Sequence, residues 1–173
     1  MEPYELMWLA SQATMCKQIC EIGSWRGRST RALLDNTSGT VLAVDTWAGS
    51  NDEGFPGVKD PEILFQEFLD NMKDVPKGKL SIFHGLSLDG AAHCKAKNQT
   101  FDMLFIDADH SYEAVKADIL AWSPLVIPSG VLCGHDYSWK FPGVVQAVNE
   151  LLPKHSMACE TIWAVQRGNN GEI

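Results

Sequence analysis

Apolar residues recur along this chain in two rhythms, and the alternation between them predicts the fold. Leu6, Leu9, Ala10 and Ala13 stand three and four apart, the spacing of one helix face, so a helix is expected from residue 3 to about 17. Gln18–Ile22 reads as a short strand entering a glycine turn, and Arg28 through Leu34 as a helix with Asn36 and Gly39 as stop signals. The apolar run Thr40–Val44 is a strand that ends on Asp45. A loop from Trp47 to Asp60 follows, and Pro61 opens a helix running towards Lys73, proline being favoured in a first helical turn. Strand Leu80–Phe83, a helix from about Ser87 to Lys97, strand Phe101–Ile106 and helix Tyr112–Trp122 come next. Leu125–Cys133 is a strand broken by Pro128 and Gly130, and Phe141–Leu152 is the last helix. Ser156–Cys159 and Ile162–Gln166 are β-like, with Glu160 and Thr161 between them.

Strands that alternate with helices imply an α/β fold, a mostly parallel sheet covered on both faces. The two closing strands lie too near each other for a crossover helix, so they must form an antiparallel hairpin. That makes seven strands in one sheet. At 173 residues, a single domain over 1–173 is expected, large enough to fold without a disulfide or metal staple.

Charge and cysteine usage narrow the partners. Fourteen Lys and Arg against 22 Asp and Glu give a formal net charge of −8, which repels phosphate backbones, so no nucleic-acid partner is expected. Arg26, Arg28 and Arg31 form either a local basic patch or a solvated helix face. Five scattered cysteines, Cys16, Cys20, Cys94, Cys133 and Cys159, fit reduced thiols in a cytoplasmic protein. Cys16 and Cys20, four apart, would share a helix face, but no second pair completes a zinc site. The N-terminus carries acids where a signal peptide has positive charge, and no apolar run has membrane-spanning length, so no membrane partner is expected.

Polar residues gather at the expected strand ends, where open α/β sheets bind ligands. The first end is Glu21-Ile22-Gly23-Ser24-Trp25-Arg26-Gly27-Arg28-Ser29-Thr30. Gly23 and Gly27 permit a tight turn and close approach of a ligand. A dinucleotide turn would carry a middle glycine, which is missing here, and Glu21 would repel a pyrophosphate but attract an ammonium or sulfonium. S-adenosylmethionine is therefore the favoured ligand, with Glu21, Gly23, Ser24, Gly27 and Ser29 around it. Asp45, 18 residues beyond Gly27, is placed to accept ribose hydroxyls. Thr46 and Trp47 follow it, and Trp47 either lies along the adenine or packs in the core. At the third end, His84-Gly85-Leu86-Ser87, Gly85 permits close approach, and Ser87 bonds the adenine edge or caps the next helix. Asp107 and Ala108 end the fourth strand, with Asp107 directed at the methyl donor.

These segments resemble the class I S-adenosylmethionine-dependent methyltransferases: an E-x-G-x-x-x-G turn, an acid ending the second strand, F-D-x-x-F-I-D-A-D-H at the fourth, and P-x-G-V in the fifth. The resemblance implies a Rossmann-like sheet of seven strands ending in an antiparallel hairpin, and methyl transfer to a small acceptor, with a hydroxyl oxygen the leading choice. Phe105–Tyr112 is similar to the matching stretch of cation-dependent O-methyltransferases, and closer to small D-x-D-H-S-Y-E methyltransferases related to cephalosporin-biosynthesis enzymes. In the cation-dependent relatives the first aspartate binds a divalent metal, with further ligands after the fifth strand. Here that position reads His135-Asp136-Tyr137, so Asp107 and Asp136 are the candidate ligands for Mg²⁺ or another divalent cation, and His135 would favour a softer metal. Asp107, His110 and His135 are the candidate catalytic residues, either histidine serving as proton acceptor or filling a structural place, His110 as a helix cap. The N-terminal helix and the 47–60 loop, with Asp52, Glu53 and Asp60, would wall the acceptor pocket. Aromatics at Tyr4, Trp8 and Trp139 suit an apolar acceptor or a homodimer face. A non-catalytic S-adenosylmethionine-binding module and a nucleotide-binding oxidoreductase are the competing readings.

Overall fold

The computed structural model describes residues 1–49 and 60–168. Its elements run α1 (Pro3–Ala13), β1 (Gln18–Ile22), α2 (Arg28–Asn36), β2 (Thr40–Asp45), α3 (Pro61–Met72), β3 (Leu80–His84), α4 (Ser87–Ala96), β4 (Phe101–Ile106), α5 (Tyr112–Trp122), β5 (Val126–Gly134), α6 (Pro142–Leu151), β6 (Ser156–Cys159) and β7 (Ile162–Gln166). The seven strands form one sheet in the order β3-β2-β1-β4-β5-β7-β6. The first five are parallel, and β7 pairs antiparallel with both β5 and β6. The closing hairpin is therefore as expected.

Side chains alternate across a strand, and here each face finds its own helices. Cys20, Ile22, Leu42, Val44, Leu104 and Ile106 point into one core with residues of α4, α5 and α6. Ile19, Val41, Ala43, Met103 and Phe105 point into the other, with Leu9 and Ala13 of α1, Leu33 of α2 and Phe68 of α3. Burial on both faces explains why these strands read as unbroken apolar runs. Chain order reverses between β1 and β4, so a crevice forms beyond their carboxyl ends, the place where such sheets take ligands.

Three local expectations change. The first helix stops at Ala13 instead of continuing to residue 17, so Cys16 lies in the following turn and Cys20 in β1, and the two share no helix face. All five cysteines are free. Pro128 and Gly130 do not break β5 but bulge it: Phe101 pairs with Val126 and Met103 with Val131, leaving one residue of β4 opposite four of β5. Ser129, at φ +65°, absorbs the bend. The second helix runs on to Asn36, whose side-chain amide donates to the Ala32 carbonyl at 2.9 Å. Among the described residues, no helix is long and apolar enough to cross a membrane.

Candidate active site

Backbone hydrogen bonds beyond the regular ladders draw the strand ends into register. Gly23 N donates to Val44 O at 2.9 Å, Asp107 N to Ile22 O at 2.8 Å, and His135 N to Ile106 O at 3.0 Å. The ends of β1, β2, β4 and β5 thus meet as one rim. Gly23 has φ +89°, and a Cβ there would collide with the Asp107 carbonyl and stand 2.8 Å from Ala108 Cα. Gly27, at φ +84°, sits under Phe68 and Met72 of α3. Backbone leaves no room for a side chain at Gly23, and the left-handed φ strains one at Gly27, so the turn read in the sequence is a built contact between β1, β4 and α3.

Glu21 does not stand open in this rim. It is fully buried at the end of β1, and the Thr30 hydroxyl of α2 donates to its Oε2. Burial pushes its pKa up to about 7, against the pull of the neighbouring hydroxyls. Glu21 therefore braces α2 behind the glycine turn, which corrects the expectation of a carboxylate laid directly beside a ligand's positive charge. Glu21 Oε1 and Ser24 Oγ are both buried, and the Ser24 and Ser29 hydroxyls lie beside the Glu21 carboxylate. Ser29, in the first turn of α2, is buried as well.

Asp45 holds the neighbouring loop. Its Oδ2 accepts from Trp25 N and its Oδ1 from Trp47 N, both at 2.7 Å. Each carboxylate oxygen keeps a second lone pair for a ligand hydroxyl. Trp47 belongs to the core: fully buried, it packs against Phe65, Phe68 and His84 and donates Nε1–H to Trp25 O at 2.8 Å. Its indole is not available to an adenine. Thr46 Oγ1 accepts from Ala48 N, and its carbonyl meets His84 Nε2 at 3.1 Å.

Ser87 does not cap its helix. The cap of α4 is Leu86, and Ser87 Oγ donates to Asp118 at 2.5 Å while accepting from Trp122 Nε1 at 2.8 Å. Its hydroxyl is turned into the core. Gly85 N donates to Asp45 O at 2.9 Å, holding the second and third strand ends together. The arginines form no open basic patch: Arg26 pairs with Glu67, Arg31 with Asp35 and Asp74, and Arg28 donates to the Met1 carbonyl. Of the proposed acceptor walls, Asp52 and Glu53 lie outside the described residues. Asp60 caps α3, accepting from Glu62 N.

Four side chains converge beyond β4 and β5. His135 Nδ1 lies 3.1 Å from Asp136 Oδ1 and 3.4 Å from Asp107 Oδ1, and its Nε2 lies 3.0 Å from Glu5 Oε2. His110 Nε2 meets Asp136 Oδ2 at 2.8 Å and its ring stacks on Phe141. His110 does not cap α5; Ser111 does, accepting from Ala114 N. A cavity of about 10 Å³, the size of one water, lies among Asp107, His110, His135 and Asp136. Asp136 has φ +61°, a conformation Asp tolerates better than most residues. Burial alone would push His135 down, but Asp107 and Asp136 beside it hold its pKa up to about 11. In its charged form the ring has no lone pair to accept a proton, so a role for His135 as base requires the neutral ring. Burial opposes ionisation of Asp136, yet the two histidines hold it well below the usual carboxylate range.

Residues 20–137 match the family described as methyltransferase domain. The chain belongs to that family. The methyltransferase resemblance drawn from the glycine turn and the strand ends is thereby confirmed for the domain, and the solved structures confirm its fold. The calicheamicin methyltransferase CalS11 superposes with a TM-score of 0.73 at 16% identity, over 95% of this chain and 78% of that one. TomG of Streptomyces achromogenes, an O-methyltransferase solved with SAM, gives 0.71 at 13% identity, over 97% and 82%. An O-methyltransferase of Bacillus cereus solved with SAH gives 0.67 at 18% identity, over 96% and 82%. An uncharacterized protein of Sinorhizobium fredii, y4gI, is 30% identical over 135 residues, 75% of this chain; the chain spans 14% of that relative's length.

Glu5 is the residue the sequence reading passed over. It shares a buried face with Leu9 and Ala13, four and eight positions on. That placement was the available signal: a carboxylate on the apolar stripe of a helix needs a partner. Its Oε2 accepts from Glu2 N at 2.7 Å and faces His135, and its Oε1 accepts from Thr161 N at 3.1 Å and Thr161 Oγ1 at 2.8 Å. Burial opposes its charge, but these hydrogen bonds hold it below its ordinary range.

Proposed function

We infer that this domain transfers a methyl group from S-adenosylmethionine to a hydroxyl of a small acceptor. The observation that carries the reading is the rim itself, where the glycine turn rests on the backbone of Asp107 while Asp107, His135 and Asp136 converge beyond it. The chemistry required is a displacement: the sulfonium C–S bond breaks as the acceptor oxygen forms the new O–C bond, and the hydroxyl proton must leave. Alignment of those three atoms supplies much of the rate.

The turn suits the methionine end of the cofactor. Ser24 is buried in that turn, beside the Glu21 carboxylate. Asp45 suits the ribose through its two spare lone pairs. O-methyltransferases among the solved structures, bound to SAM or SAH, support the cofactor and the attacked atom.

Asp107, His135 and Asp136 also fit a divalent cation. One donor atom from each lies within 4.8 Å of the others, around the water-sized cavity. Two carboxylates with water and substrate suffice for Mg²⁺, while the imidazole nitrogen favours a softer metal. A bound cation would lower the pKa of an acceptor hydroxyl. Asp107 and Asp136 would hold it, and His135 would give up its Nδ1 proton to join them. Calorimetry with S-adenosylmethionine, followed by transfer of labelled methyl to catechol and sugar-alcohol acceptors with and without chelator, tests the proposal. Binding in the micromolar range is expected, and no binding at millimolar cofactor would overturn it.

A further inference from the structure

We propose that Glu5 is a positioning residue that fixes which nitrogen of His135 faces the site. The inference rests on the reading of Asp107, His135 and Asp136 as the reactive cluster. Glu5 comes from the first helix, 130 positions from His135, yet its carboxylate is the group behind the ring.

The argument is one of donors and acceptors. A carboxylate offers about four lone-pair directions and no proton. Glu5 faces four donors: Glu2 N, His135 Nε2, Thr161 N and Thr161 Oγ1, at 2.7, 3.0, 3.1 and 2.8 Å. All its capacity is used, so His135 Nε2 must be the N–H donor. The ring is then locked with Nδ1 towards Asp107 and Asp136, at 3.4 and 3.1 Å. A carboxylate behind an imidazole fixes ring orientation and raises the basicity of the nitrogen in front, and loss of such a partner typically costs ~10–100-fold in metal affinity. Thr161 ties the same carboxylate to the β6–β7 turn, and Tyr137 N donates to Thr161 O at 3.0 Å. Docking of α1 and closure of the hairpin thus converge on one ring.

The test separates positioning from simple attachment of α1. Three variants are compared with the wild type. Glu5→Met removes the acceptor at similar volume, Glu5→Gln keeps a neutral one, and Thr161→Val removes a donor to Glu5 without touching His135. Zn²⁺ affinity is measured by calorimetry, and the His135 ring nitrogens are followed by NMR on ¹⁵N-histidine protein, assigned with His135→Gln. The expected order of affinity is wild type and Thr161→Val together, Glu5→Gln lower, and Glu5→Met lowest by ~10–100-fold. The Nε2–H correlation of His135 should persist in Thr161→Val and vanish in Glu5→Met. Unchanged ring correlations in a folded Glu5→Met protein would overturn the proposal. If the wild type binds no Zn²⁺, the cation reading fails separately, and the ring correlations of metal-free protein still decide the role of Glu5.

Discussion

Gly23 has no Cβ because the main chain of Asp107 occupies the place where one would go. A methyl at Gly23 would strike the Asp107 carbonyl, and the residue sits at φ +89°. Both partners are backbone at the ends of adjacent parallel strands, so neither can swing aside as a side chain would. Gly23→Ala should therefore cost on the order of 3 kcal/mol in urea unfolding, combining overpacking with left-handed strain. It should also abolish cofactor binding by calorimetry, because relief requires Asp107 to move. A variant of wild-type stability and affinity would show that the turn yields easily.

Trp47 provides the cleanest separation of core from site. Its ring is buried among Phe65, Phe68 and His84, with Nε1–H on Trp25 O. Trp47→Ala should lose about 3–5 kcal/mol of stability. Trp47→Phe retains most of the packing and should change the S-adenosylmethionine Kd less than about twofold. A tenfold loss of affinity in a stably folded Trp47→Phe protein would put the indole back against the ligand.

The strands, their order of appearance and the polar rim at their ends were legible because they depend on local rhythm and on where apolar runs stop. What escaped the sequence depends on partners that only the fold brings together. Trp47 follows Asp45 directly and looks equally suited to adenine or core; α3 decides it. Ser87 sits where a cap would, but Asp118 and Trp122 of α5 claim its hydroxyl. Glu5 resembles a helix-start acid until His135 and Thr161 arrive from the other end of the chain. Pro128 and Gly130 signal irregularity correctly, but a bulge and a break look alike until β4 supplies the pairing.

Asp118 gives the fold a pH dependence of predictable sign. Burial pushes its pKa from an ordinary 3.8 up to about 6, although Ser87 donates to it. A carboxyl with a higher pKa folded than unfolded favours the folded state when protonated. Its contribution is fully present below pH 3.8 and is lost as pH rises through about 6. Asp118→Asn keeps an acceptor for Ser87 and removes the charge. Relative to wild type, the variant should gain stability between about pH 4 and 6, levelling off above that at about 3 kcal/mol or less. Denaturant midpoints of both proteins at half-unit intervals of pH read the difference, and parallel curves would rule the effect out.

Asp136 joins the two histidines, His110 through Oδ2 and His135 through Oδ1. Asn is also tolerated in the left-handed region that Asp136 occupies, so Asp136→Asn removes charge while keeping the backbone. Breaking a largely buried ion pair in this way should destabilise the domain by about 3 kcal/mol, because His135 keeps its charge. Methyl transfer should fall at least about 100-fold if the carboxylate helps hold a cation or the acceptor proton. The chelator experiment then divides those two roles. If wild-type turnover stops in chelator and returns with Mg²⁺ or Mn²⁺, and Asp136→Asn needs far more metal for the same recovery, the carboxylate is a ligand. If wild-type turnover survives chelation while Asp136→Asn remains inactive, Asp136 acts through its histidines alone and the proton of the acceptor is handled without a metal.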